Sequence, residues 1–150
     1  MNGWLLDTNI VSEVARPRPN AAVASWLSAQ PLGRLFISVL TIGEILQGIW
    51  KLPEAAPARP RFEAMLAGLE ARFRGRMLNL SDPVVRRWGR LSGLELAAGR
   101  TPPVVDILLA ATALEHRLYL ATRNVRDVRA TGAAVFDPWT DDPARFPLSA

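Results

Sequence analysis

Trp4-Leu5-Leu6-Asp7-Thr8-Asn9-Ile10 sets three apolar residues, an acid, two small polar residues and a further apolar residue in a row near the start of the chain. Three consecutive apolar residues without alternation read as a short strand buried on both faces, and the polar group after them as its exit into a helix over Asn9 to Ala15. Outward from this stretch the same grammar repeats. Leu35-Phe36-Ile37-Ser38-Val39, Met77-Leu78-Asn79-Leu80, Leu118-Tyr119-Leu120-Ala121-Thr122 and Ala134-Val135-Phe136 are further short apolar runs of strand length. Between them lie helical patterns. Asn20 caps Ala21 to Ala29, Thr41 to Lys51 repeats Ile42, Ile45, Leu46 and Ile49, and Arg61 to Arg74 carries Phe62, Met65, Leu66, Leu69 and Phe73 on one face. Ser81-Asp82-Pro83 is a cap followed by an early helical proline and opens a helix to about Ala98; Pro102-Pro103 introduces another over Val105 to His116. Five buried runs alternating with helices predict an α/β fold, a central parallel sheet of about five short strands flanked by helices. No internal repeat or low-complexity tract divides the chain, and Pro53 to Pro60 reads as a connection between helices, so residues 1–150 are expected to form a single domain.

Composition removes several chemistries. The chain has 150 residues, 49% of them apolar and 21% charged, with a net charge of +4 and no cysteine. A chain of this length buries roughly 70% of its unfolded surface and needs no metal or disulfide as a staple. Thiolate nucleophiles and cysteine zinc sites are excluded, and His116, the only histidine, leaves little room for a His-based triad. The catalytic inventory is therefore carboxylates and amides. No run approaches the ~20 apolar residues of a membrane span, and the N-terminus lacks a basic start with a long apolar run, so a cytoplasmic protein without membrane contact is expected. Of the basic residues only Lys51 is lysine, and nine arginines face four acids between Arg59 and Arg100. A GC-rich genome accounts for that bias in bland terms; arginine forks also suit phosphate.

Three acids fall where such a fold places its ligand sites. Asp7 ends the first strand, at the carboxyl edge of the sheet and the positive end of the next helix, although a plain helix cap occupies the same address. Glu44 lies about 200° around the helix from Ile42, away from the apolar stripe, as a solvated glutamate also would. Asp106 opens a helix, Val105 to Leu114, that is apolar around nearly its whole circumference, and a buried acid needs a donor, a cation or a metal as partner. The cluster Ala121-Thr122-Arg123-Asn124-Val125-Arg126-Asp127 again follows a strand, where an Asx-rich turn is the simple alternative. Two carboxylates 4 Å apart repel by about 4 kcal/mol at an effective dielectric of 20, so three converging pairs cost on the order of 10 kcal/mol. A hard divalent cation removes that cost, and oxygen-only ligands favour Mg²⁺ or Mn²⁺.

Leu5-Leu6-Asp7-Thr8-Asn9, Thr41-Ile42-Gly43-Glu44-Ile45, Asp106 to Ala113, Ala121 to Asp127 and the closing Phe136-Asp137-Pro138-Trp139, taken in order, resemble PIN-domain ribonuclease toxins of the VapC type, in their FitB-like branch. The resemblance implies a PIN fold, a homodimer built from the early helices, a Mg²⁺- or Mn²⁺-dependent endoribonuclease and a neighbouring antitoxin protein that blocks its site. It places Asp7, Glu44 and Asp106 on the family's acidic triad and Asn124 where many relatives carry a fourth acid, with Asp127 three residues on as its stand-in. Under this reading Asp7, Glu44, Asp106, Asn124 and Asp127 are the catalytic set: Asp7 and Asp106 hold the metal, Glu44 binds it or orients water, and Asn124 with Asp127 completes the polar shell. Thr8, Asn9 and Thr122 support the ligands. Arg74, Arg76, Arg86 and Arg87, with Arg72 and Arg90, are the candidates for gripping the RNA substrate. Among rival readings, a non-enzymatic Mg²⁺-binding signalling or interaction module of the receiver type wants two adjacent acids after its first strand and a late lysine, whereas here Asp7 stands alone and the one lysine is Lys51. A carboxylate-pair glycosidase needs no metal, so sensitivity to EDTA separates it.

Overall fold

The computed structural model describes residues 1–150. Five parallel strands, β1 (Trp4–Leu6), β2 (Leu35–Ser38), β3 (Met77–Leu78), β4 (Tyr119–Ala121) and β5 (Val135–Phe136), form one sheet in the order β3-β2-β1-β4-β5. The helices are α1 (Thr8–Val14), α2 (Ala21–Ala29), α3 (Val39–Trp50), α4 (Arg59–Arg72), α5 (Asp82–Ala97), α6 (Val104–His116) and the short α7 (Val125–Val128). The expected α/β architecture with five short strands is what forms, each strand shorter than or equal to its apolar run. α3 and α4 both begin two residues ahead of their expected starts. Ser38 ends β2 and its hydroxyl accepts the Leu40 amide, so strand passes directly into helix without a loop. Pro60 sits in the first turn of α4, where its missing N–H costs nothing.

Strand periodicity divides the core in two. Trp4 and Leu6 of β1 point to one face with Leu35, Ile37, Tyr119, Ala121 and Phe136, where α1 to α4 cover them. Leu5 and Leu120 point to the other face, against Leu109, Ala110 and Ala113 of α6. Trp4 anchors the first layer through edge or tilted contacts with Trp26, Tyr119 and Phe136, at ring separations of 5.1, 4.8 and 4.9 Å. Small residues on α6 let it lie close over the sheet and seal its second face, and α5 packs outside it. Gly3 is needed where β1 enters: a Cβ there would collide with the Arg34 carbonyl. Asn20 caps α2, its Oδ1 accepting the amides of Ala22 and Val23 at 3.0 and 3.2 Å. No helix is long and apolar enough to cross a membrane.

This topology decides where a site can form. From β1 the chain first builds outward through β2 and β3, then returns to add β4 and β5 on the other side. The order reverses between β1 and β4, and in open parallel sheets the crevice at the carboxyl ends of those two strands is the ligand address.

Candidate active site

Asp7 and Thr122 stand side by side because Leu6 pairs with Ala121 in the β1–β4 register. Thr122 Oγ1 donates to Asp7 Oδ2 at 2.6 Å, and Asn9 Nδ2 donates to the same oxygen at 3.1 Å. Asp7 occupies the N-cap position of α1, beside the Thr8 and Asn9 amides, and the shortest hydrogen bond to its carboxylate is the one from Thr122 at the exit of β4. The Thr122 hydroxyl also accepts from the Asn124 backbone amide at 3.0 Å and from Asn9 Nδ2 at 3.3 Å, which ties the β4 exit to the β1 exit.

Thr8 performs the same service for the second acid. Its hydroxyl lies 2.7 Å from Glu44 Oε1 and 3.3 Å from Thr41 Oγ1, so α3 and the start of α1 are joined through one residue. Consecutive residues of the first motif thus hold two acids, Thr8 holding Glu44 and Asn9 holding Asp7. Thr41, fully buried, is a support that the sequence reading does not single out. Its place one turn before Glu44 on the helix is the signal that could have found it.

Asp106 completes the group from the first turn of α6, buried despite its charge. Burial, then the charges of Asp7 and Asp127, and last that of Glu44, push its carboxyl up to about 6, against the Asn124 side chain, which acts in the opposite sense. Asp7 is raised by burial, opposed by the Thr122 hydroxyl, by the backbone amides of Thr8 and Asn9 and by the Asn9 side chain. Glu44 is raised by burial and by Asp7, opposed by Thr8. The acids therefore share one electrostatic neighbourhood, and no arginine enters it to neutralise them. They do not close into a ready-made metal cage. Their chemistry nevertheless fits a hard cation: the donors are oxygens, each acid is short of positive partners, and Asn9 Oδ1 beside Asp7 is buried with no hydrogen-bond donor.

The basic residues around this group are not those singled out by sequence. Arg74 and Arg76 precede β3 and so lie toward the amino edge of the sheet, opposite the acids. Arg76 is bound there: its guanidinium donates to the carbonyls of Leu32 at 2.6 Å, Leu35 at 2.8 Å and Arg72, and packs on the Phe73 ring. Arg86 pairs with Asp82 at 2.8 Å on the exposed face of α5, and Arg87 grips Glu115 at 3.0 and 3.2 Å. Glu115 is nine residues beyond Asp106 on α6, which at 1.5 Å per residue is about 13 Å along the helix. Instead, a cleft of about 760 Å³ beside Asn124 and Asp127 is lined by Arg100, Arg123, Arg126 and Arg129. Arg100 is clasped by the buried Glu95 through two bonds of 2.8 Å, which hold that carboxyl below its ordinary range. Arginines three residues apart after a strand's carboxyl end are the signal that points to Arg123, Arg126 and Arg129; a bias counted over Arg59 to Arg100 cannot see which edge of the sheet each residue reaches.

Residues 4–132 match the PIN domain family. The chain is 33% identical to the toxin FitB of Neisseria gonorrhoeae over 91% of its own length and 99% of that protein. It is 31% identical to the VapC ribonuclease Y4jK of Sinorhizobium fredii, over 90% of the chain and 96% of the relative. Among solved structures, that of FitAB bound to the IR36 DNA fragment superposes with a TM-score of 0.83 at 32% identity, covering 93% of this chain and 97% of the other. Sequence and fold agree along almost the whole chain, with the acids gathered at the crevice between β1 and β4: this chain belongs to the PIN-domain family.

Proposed function

We propose that the protein is a Mg²⁺- or Mn²⁺-dependent endoribonuclease, the toxin of a toxin–antitoxin pair, acting in the cytoplasm. The observation that carries this reading is the convergence of Asp7, Glu44 and Asp106, all with raised pKa values, beside a cleft walled by four arginines. Acids placed together at such electrostatic cost suit a cation, and the arginines beside them suit a polyanion that the acids alone would repel. Relatives named as a toxin and as a ribonuclease support the same conclusion.

Asp7 and Asp106 would hold the ion, and when bound it supplies charge neutralisation on the phosphate and a lowered pKa for water. Thr122 and Asn9 fix the Asp7 carboxylate, so its orientation is set before substrate arrives. Glu44 has Oε1 occupied by the Thr8 hydroxyl, which leaves Oε2 to accept a proton from water or to join the ligand set. Asn124 and Asp127 border Asp106 on the cleft side and close the polar shell. The arginines of the cleft hold the phosphates that flank the cut.

The partners are an RNA substrate, a cognate antitoxin and a second copy of the chain. Trp26 is buried in the core, whereas Trp50 is 73% exposed at the end of α3, an apolar surface that suits association. Incubation of the purified, antitoxin-free protein with total RNA tests the central claim. Cleavage that needs Mg²⁺ or Mn²⁺, stops with EDTA and spares duplex DNA is expected; no metal-dependent cleavage with enzyme in excess overturns it.

A further inference from the structure

Resting on the RNA reading above, we infer that Trp139 and Arg123 form a nucleotide-stacking subsite beside the acids. In this subsite a base of single-stranded RNA replaces the Arg123 guanidinium on the indole face, and Arg123 moves onto the adjoining phosphate.

Two clefts lie beside the acidic group, each bordered by a residue that contacts one of the acids. One, already described, reaches it through Asn124 and Asp127. The other, of about 340 Å³, reaches it through Asn9, the residue that binds Asp7, and is walled by Arg16, Arg61, Phe62 and Trp139. That volume lies within the range of about 300–1,000 Å³ for small-molecule sites. Arg123 lines both clefts and is the shared wall between them. Its guanidinium sits 4.9 Å from the centre of the Trp139 ring. A strand running from one cleft to the other would pass this pair.

Trp139 is built as a fixed platform. Its backbone amide donates to Asp137 Oδ1 at 2.9 Å, and the Asp137 amide donates to Asp141 Oδ2 at 2.8 Å. This turn follows β5 directly, and β5 pairs with β4, whose exit carries Arg123. Trp139 is partly buried against the core, and its ring also carries the Arg123 guanidinium. Arg123 is exposed, with no acid paired to it. A base stacked on an aromatic ring gains more than an exposed cation over the same ring does, so exchange favours the base and frees a charge for phosphate. Duplex RNA keeps its bases stacked internally and cannot make the exchange, which makes the subsite selective for unpaired strands.

The test uses full-length Asp7→Asn protein with Mg²⁺ and a short fluorescein-labelled single-stranded RNA, read by anisotropy. An abasic site is moved along the strand one position at a time. With Trp139 present, one or two positions should weaken binding about tenfold; with Trp139→Leu the intact strand should bind about tenfold more weakly and the abasic scan should go flat. Trp139→Phe should recover most of the affinity. Arg123→Ala should reduce the slope of log affinity against log salt by about 0.7, the value for one phosphate on a single strand, whereas Trp139→Leu should leave the slope unchanged. A flat abasic scan in protein that retains Trp139 overturns the subsite whether or not Trp139→Leu folds. If the unsubstituted chain cuts RNA and the scan is flat, the subsite alone is wrong. If it neither binds nor cuts RNA, the nuclease reading fails and the subsite falls with it.

Discussion

Asp106→Asn should make the metal-free protein more stable near neutral pH while removing its activity. In the folded chain, burial and the charges of Asp7, Asp127 and Glu44 raise Asp106 from 3.8 to about 6. A carboxyl whose folded pKa exceeds its unfolded value binds its proton more tightly when folded, so its charged form burdens the fold. The burden is full above about pH 6, declines as pH falls from there toward 3.8, and is absent below. A gap of about two units corresponds to about 3 kcal/mol in a dry site. The site is polar and Asp106 keeps some exposure, and screening reduces this to about 1–2 kcal/mol. For a chain of this size each kcal/mol moves the melting temperature by about 2–4 °C. Scanning calorimetry in EDTA should therefore find Asp106→Asn melting about 2–8 °C above the parent at neutral pH, with the two curves meeting as the solution approaches the unfolded pKa of the acid. Asp7 and Glu44 are raised in the same direction, so the parent should itself gain stability on mild acidification. Added Mn²⁺ should reverse the order, since an ion at a hundred times its Kd stabilises the parent by about 2.7 kcal/mol, and that gain should shrink in the variant. An Asp106→Asn protein that melts below the parent at neutral pH, with its response to Mn²⁺ intact, would show Asp106 to be a structural acid and refute the reasoning.

Asp7→Asn and Asp106→Asn should each lower metal-dependent RNA cleavage by at least about a hundredfold and Glu44→Gln by less, whereas Asp82→Asn, which breaks only an exposed pair with Arg86, should keep its rate. Arg76→Ala removes three bonds to backbone carbonyls and should cost about 1–3 kcal/mol in a denaturant titration; its RNA affinity should be unchanged, while Arg126→Ala should weaken RNA binding without altering stability. Gly3→Ala drives a methyl into the Arg34 carbonyl and should destabilise by about 1–3 kcal/mol; a melting temperature equal to the parent's would mean that β1 can shift at its entry. Light scattering of the antitoxin-free protein should give a dimer, and a mass of 16.5 kDa at micromolar concentration would count against self-association.

The amino-acid sequence by itself determined the alternation of short apolar runs with helices, because burial on both faces of a parallel sheet demands uninterrupted apolar residues and crossover helices demand their own period. It also marked Asp7, where a strand ends, and Asp106, where an apolar helix begins, as acids in unusual places, whereas Glu44, inside a helix and off its apolar stripe, read as a solvated glutamate until the motifs were taken together. Strand order lay beyond it. That β4 returns beside β1 and not beside β3 is a matter of long-range pairing, and only this pairing sets Thr122 against Asp7 and makes the crevice. Local pattern likewise left open whether Asp7 caps α1 or faces a ligand. The fold answers with both: Asp7 sits at the N-cap beside the Thr8 and Asn9 amides, while the Thr122 hydroxyl and the Asn9 side chain fix its carboxylate at the crevice. The arginines diverge most from the pattern. Charge counted along a chain carries no direction, whereas in the sheet Arg76 is drawn to backbone carbonyls at one edge while Arg100, Arg123, Arg126 and Arg129, scattered over two segments, meet in a cleft at the other.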